Sequence, residues 1–189
     1  MNALLKAPPI TTEQFLAFQA PLGFRDELIE GEIVLSPDPK PIHHDVAEQV
    51  YLLLRNCLPQ NLYKVGSRVN IKLDRDHSMP SPDVFVLPHA EWMDARRKNA
   101  YPTTSPMLAV EVISPANRKK RILQKVEIYL KNGSKAVWLV YPKARKVEVY
   151  SSGKPEPTIY LDKDVITPPH PLPQASLAIR DIFIADANQ

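Results

Sequence analysis

Cysteine is nearly absent. A single thiol, Cys57, in a chain of 189 residues excludes an intrachain disulfide and any thiolate metal cluster within one subunit. Its neighbours Leu52, Leu53, Leu54 and Leu58 are apolar, which fits a buried inert thiol better than a nucleophile. Long hydrophobic runs are missing too: nothing approaches the roughly 20 apolar residues that cross a bilayer. Met1 to Ile10 holds one lysine and two prolines but no signal-peptide apolar block, so a cytoplasmic protein without a membrane partner is expected. Nor is there a strong excess of one charge. The 24 Lys and Arg against 21 Asp and Glu leave +3, which permits an anionic partner without demanding one. No Gly-x-Ser-x-Gly elbow, phosphate-binding P-loop or His-Glu-x-x-His motif occurs, which argues against those hydrolases and against a nucleotide cofactor.

What is present is ordinary globular composition, 44% hydrophobic and 24% charged, at a length suited to one domain over residues 1–189. Twenty prolines fall between apolar segments and read as stiff loop punctuation. Thr11 or Thr12 caps a short helix through Phe18. Arg25 to Leu35 reads as two strands around a Glu-Gly turn. Val46, Val50, Leu53, Leu54 and Cys57 give helical spacing from His44 to Leu58. Val65 to Leu73 alternates like a half-buried strand. Asp83–Leu87 and Met107–Ile113 are near-continuous apolar runs suited to central strands. A helix is expected from Asn117 to Asn132, its stripe formed by Ile122, Val126, Tyr129 and Leu130, with Gly133 ending it. Ala136–Tyr141 and Lys146–Tyr150 read as two further strands. The tail beyond Pro155 resists assignment. The order implies an α/β fold, a mixed sheet with helices on its faces.

Two acids are attached to strongly apolar strands. Asp83 opens one, and Glu111 lies inside the other between Val110 and Val112. A buried carboxylate needs a cation, and two acids on neighbouring strands can share a hard divalent one through oxygen ligands. Equally, Asp83 can cap a strand end and Glu111 can pair with an Arg or Lys. Lys125 falls at the edge of the helix stripe on the side of Tyr129, where its stem can reach inward. By position alone it is also one more solvated charge in the set Arg118, Lys119, Lys120, Arg121 and Lys125.

The series Ser81-Pro82-Asp83-Val84-Phe85-Val86, Ala109-Val110-Glu111-Val112-Ile113-Ser114-Pro115, Lys125 with Tyr129, Gly133, and Val137-Trp138-Leu139-Val140 resembles a known family. It is similar to the Uma-type restriction endonucleases of the PD-(D/E)XK superfamily, over about residues 24 to 151. Glu27-Leu28-Ile29-Glu30-Gly31-Glu32-Ile33 and the Ser-Pro segment leading to His44 resemble the family's N-terminal signature. The resemblance implies a restriction-endonuclease-like mixed sheet flanked by helices, with an additional N-terminal hairpin, and Mg²⁺- or Mn²⁺-dependent hydrolysis of DNA. Asp83 and Glu111 match the two metal-binding acids, and Lys125 matches a lysine moved from the strand, where Ile113 stands, to the following helix. Glu32 matches a further N-terminal acid that completes such metal sites. His44 matches a recurrent histidine without an assigned role, and Tyr129 accompanies Lys125. The run Arg118, Lys119, Lys120 and Arg121 lies where DNA phosphates could pass; it also fits the solvated start of a helix. Two positions depart from the family: Arg121 where Asp is frequent, and Tyr141 where Asp precedes the proline. They favour the alternative, a weak or inactive nuclease-fold module that binds nucleic acid or another partner. A homodimer is expected from the two-fold symmetry of duplex DNA, with Leu172, Leu177, Ile182 and Phe183 as exposed tail residues at its interface.

Overall fold

Residues 8–73, 77–115 and 118–183 are described by the computed structural model of the protein. Thr11 opens α1 (Thr12–Ala17) with a reciprocal cap, its hydroxyl accepting from the Gln14 N–H and its own N–H donating to the Gln14 side chain. A hairpin follows, β1 (Phe24–Ile29) and β2 (Glu32–Pro37), in register from Phe24 opposite Pro37 to Ile29 opposite Glu32. Its turn residues Glu30 and Gly31 both take positive φ, 49° and 76°, the two-residue geometry that suits strand twist.

Helix α2 (Pro41–Cys57) begins earlier than the expected His44. Proline suits a first helical position, since its φ is already helical and it has no N–H to leave unpaired. The buried stripe of α2 is His43, Val46, Ala47, Val50 and Leu54.

The strand expected over Val65–Leu73 is displaced to β3 (Tyr63–Gly66). Beyond it, Arg68, Ile71 and Lys72 donate to the carbonyls of Pro82, Pro80 and Pro102. Prolines accept but cannot donate in return, so no ladder forms there, although Ile71 and Leu73 are buried. The apolar runs become β4 (Val84–Pro88) and β5 (Leu108–Val112) as expected. Between them lies α3 (His89–Arg97), which has no counterpart among the expected elements because Ala95 is its one buried residue and no apolar stripe marks it.

Helix α4 (Lys119–Lys131) precedes β6 (Ala136–Tyr141) and β7 (Lys146–Ser151). The expected start of α4 at Asn117 lies outside the described residues. Gly133, at φ 106°, terminates the helix. With β8 (Thr158–Leu161) the strands form a sheet in the order β3-β4-β5-β6-β7-β8. Only β5 and β6 run parallel in it, and α4 is the crossover that a parallel pair requires.

Alternation along β5 divides the interior. Leu108, Val110 and Val112 join Val84, Val86, Trp138 and the α2 stripe in the main core. Ala109 packs with Val126, Tyr129, Val137 and Leu139 under α4. The tail supplies β8, the short pair β9 (Val165–Ile166) and β10 (Leu177–Ala178), and a closing 3₁₀ turn over Ile179–Ile182. Leu172, Leu177, Ile182 and Phe183 are buried in the α2 core, which corrects their expected exposure. Apolar side chains that can fold back onto an open core face gain burial without a partner. Among the described residues, no helix is long and apolar enough to cross a membrane.

Candidate active site

Strand register brings the two acids together. Val84 pairs with Val110 in the antiparallel β4–β5 ladder, and one step further places Asp83 across from Glu111 on the α4 face. The Val112 N–H donates to Asp83 Oδ2 at 2.9 Å and ties the start of β4 to the end of β5. Both residues are buried, at 4% and 9% exposure, so each carboxylate must find compensating charge inside the protein.

Each acid has its own partners. Lys125, reaching in from α4, donates to the Glu111 carboxylate at 2.8 Å, and the Tyr129 hydroxyl one turn along donates to Glu111 Oε1 at 3.0 Å. The same ammonium donates to Glu27 Oε1 at 2.8 Å, and Glu27 also accepts from the Ser81 N–H at 2.6 Å. On the other side, His43 Nε2 lies 3.1 Å from Asp83 Oδ2, and Arg25 Nη1 lies 3.7 Å from Oδ1.

These surroundings push the two acids in opposite directions. Burial would raise the Asp83 carboxyl, but the His43 hydrogen bond and charge, the Val112 N–H and Lys125 together hold it below its ordinary range. Glu111 is pushed up to about 8, first by burial and then by the Asp83 and Glu27 charges, against the pull of Lys125. Lys125 itself is raised: Glu111 and Glu27 outweigh the burial that would discharge it. Tyr129 is raised by burial and by Glu111, so its hydroxyl stays a donor. Glu27 and Glu111 thus share one ammonium beside Asp83, and Glu111 holds its charge poorly. A hard divalent cation beside Asp83 and Glu111 would relieve that crowding with the oxygen ligands such cations prefer, so the donor set fits Mg²⁺ or Mn²⁺. Among the described residues, no group of three or more His, Cys, Asp or Glu is arranged to hold a metal by itself.

Of the residues singled out from the sequence, Asp83, Glu111, Lys125 and Tyr129 meet at one place. Glu32 does not join them. Its carboxylate takes the Arg121 guanidinium at 2.6 Å near the surface, with 49% of its side chain exposed. The N-terminal acid that reaches Lys125 is Glu27. His44 is exposed, whereas its neighbour His43 is buried against Asp83. Arg118, Lys119 and Lys120 are exposed at the start of α4; Arg121 is divided between Glu32 and Gln124. Tyr141 donates to Glu148 at 3.0 Å rather than to either central acid.

Sequence signals for the missed residues exist. Arg25 and Glu27 stand two apart on β1, which aims both at one face of the hairpin. His43 continues the stripe of Val46, Ala47 and Val50 at spacings of three, four and seven, and His44 does not.

The model of the Uma2 family, described as "Putative restriction endonuclease", matches residues 12–180. No match was found among curated proteins. Among solved structures, the chain is similar to a crystal structure described as a putative nuclease belonging to DUF820 from Anabaena variabilis. Sequence identity is 22%, the TM-score is 0.79, and the likeness covers 93% of this chain and 98% of that one. At that identity the likeness shows the fold: a mixed sheet flanked by helices.

Proposed function

The chain belongs to the Uma2 family, and from that premise we propose that it is an endonuclease that hydrolyses DNA phosphodiester bonds with Mg²⁺ or Mn²⁺. One observation carries the reading: Asp83 and Glu111 share a sheet face, with the Lys125 ammonium 2.8 Å from the Glu111 carboxylate.

Asp83 and Glu111 would hold the cation through carboxylate oxygens, the ligands hard divalent cations prefer. When bound, the cation would supply a lowered pKa for a water molecule and polarisation of a phosphoryl oxygen. The chain's own residues do the rest. Lys125 keeps its proton and offers a fixed positive charge where negative charge grows on the phosphate oxygens. Glu27 fixes that ammonium from behind, and Tyr129 orients the Glu111 carboxylate by donating to Oε1. His43 and the Val112 N–H both bind Oδ2 of Asp83, which leaves Oδ1 with Arg25 3.7 Å away. Arg118, Lys119 and Lys120, exposed at the start of α4, supply sequence-independent attraction for the DNA backbone.

A homodimer belongs to the same proposal, on the match between two-fold symmetry and duplex DNA. With the tail buried, its interface must use other surface. Light scattering of the purified protein decides between monomer and dimer.

The function is tested by incubating the purified chain with supercoiled plasmid and with single-stranded DNA in Mg²⁺, Mn²⁺ or EDTA. Cleavage that needs the metal is expected. No cleavage with either substrate and either metal would replace the enzyme reading with that of a nucleic-acid-binding module.

A further inference from the structure

Among the described residues, two buried side-chain polar atoms lack a hydrogen-bond partner: Arg25 Nε and His43 Nδ1. Both belong to side chains that flank Asp83. His43 and the Val112 N–H already bind Asp83 Oδ2, at 3.1 and 2.9 Å, so the carboxylate is fixed without Arg25. The guanidinium stands 3.7 Å from Oδ1, outside hydrogen-bond range, and 34% of the side chain remains exposed. An arginine present only to neutralise a carboxylate closes on it as a two-pronged fork. This one stands off the acid and keeps about a third of its side chain exposed.

The hairpin explains how it gets there. Arg25 and Glu27 project from one face of β1, so a single strand delivers a cation to Asp83 and a carboxylate to Lys125. The centre is then an acid pair with one cation at each acid. Leaving aside the His43 imidazole on Asp83, Glu27, Asp83 and Glu111 carry three negative charges when ionised, and Arg25 and Lys125 carry two positive ones. A divalent cation turns the remaining single negative charge into a single positive one. A phosphodiester monoanion cancels it.

We propose that Arg25 is a substrate-binding residue whose guanidinium takes a non-bridging oxygen of a DNA phosphodiester beside Asp83. The role rests on the nuclease reading above. Lys125 serves the phosphate from the Glu111 side and Arg25 from the Asp83 side, so the backbone enters between β1 and the ends of β4 and β5.

The test compares wild type, Arg25→Gln and Arg25→Lys. Binding of a fluorescent, non-hydrolysable DNA duplex is measured by anisotropy in Mn²⁺, so that the metal is present and turnover cannot interfere, and kcat/KM is measured separately with a cleavable duplex in Mn²⁺. Both variants should bind the duplex roughly 10-fold or more weakly, the scale of a lost charge-assisted hydrogen bond. Their kcat/KM should fall by at least as much. Arg25→Lys keeps the charge beside Asp83, so its thermal melting and its Mn²⁺ affinity by calorimetry should match wild type while duplex binding still falls. That variant keeps the test valid if Arg25→Gln does not fold. Wild-type duplex affinity in Arg25→Lys and in any folded Arg25→Gln overturns the assignment and leaves Arg25 as a charge partner of Asp83. A wild-type protein that neither binds nor cuts DNA overturns the nuclease reading itself, and this role with it.

Discussion

Lys125 Nζ lies 2.8 Å from Glu27 Oε1, joining residues 98 positions apart in the chain. Through that contact the N-terminal hairpin becomes part of the centre, because the ammonium bonded to Glu27 is the same one that reaches Glu111. Lys125 is therefore held from both sides, and swinging out to solvent would take its positive charge from two carboxylates at once.

The two kinds of central residue should separate on mutation. Asp83→Ala or Glu111→Ala removes a proposed metal ligand, so cleavage and Mn²⁺ binding should be lost together. Lys125→Ala should slow cleavage by roughly 10²–10³, the usual scale for losing one electrostatic stabiliser. Its Mn²⁺ affinity should hold or rise, since Glu27 and Glu111 lose their competing cation. Lys125→Arg should recover only part of the rate, because a broad planar guanidinium replaces a compact ammonium. A wild-type rate in Lys125→Ala, in an assay where Asp83→Ala is dead, would remove the lysine from the chemistry.

The strands bearing Asp83 and Glu111 are legible in the sequence because each is a continuous apolar run, and an acid embedded in such a run stands out against it. Lys125 is legible only through the family resemblance, since by position it is one lysine among several. The N-terminal acid is harder to place for a physical reason. Glu27 and Glu32 lie on the same face of the hairpin, Glu27 opposite Val34 and Glu32 opposite Ile29. Which of them meets the lysine depends on how the hairpin docks against α4, and no local pattern encodes that. Glu32 reaches Arg121, a turn before Lys125 on the same helix. The histidine shifts by one residue because α2 starts at Pro41, and a one-residue change on a helix turns a side chain by about 100°. The tail is illegible because its strands are very short and its apolar residues follow no period.

The neighbouring histidines give a sharp contrast. His43→Ala deletes a donor to Asp83 and leaves a gap beside a buried carboxylate. It should lower the melting temperature and weaken Mn²⁺ binding, whereas His44→Ala, at an exposed position, should change neither. Equal effects of the two substitutions in calorimetry would contradict the placement of α2.

Salt dependence tests the start of α4. Arg118, Lys119 and Lys120 are exposed, while Arg121 is bound to Glu32 at 2.6 Å. Replacing the first three with Gln should flatten the plot of log affinity against log salt by roughly 0.9 for each phosphate no longer neutralised. The weakening should be similar for unrelated DNA sequences. Glu32→Gln, which releases Arg121, should steepen the slope and strengthen binding. Unchanged slopes in both variants would make the cluster a solvated helix start.

Glu111 sets the pH behaviour. Its carboxyl is pushed from an ordinary 4.5 up to about 8, chiefly by burial. Between those values the folded chain keeps a proton that the unfolded chain has released, so the stability of the metal-free protein falls as pH rises through that window. Glu111→Gln mimics the protonated acid and can still accept the Tyr129 hydrogen bond. Without metal it should therefore melt higher than wild type at pH 9, with the difference shrinking toward pH 5. The shift sets an upper bound of about 5 kcal/mol, and structural relaxation will reduce it. A bound cation must displace the same proton. Wild-type Mn²⁺ affinity should then rise by about tenfold per pH unit from pH 6 and level off above about 8, because Asp83 is already ionised throughout. Calorimetry in buffers of different ionisation enthalpy would count the proton released. An affinity that stays flat from pH 6 to 9, with no proton released, would take Glu111 out of the ligand set and leave Asp83 without the partner that the metal-dependent mechanism requires.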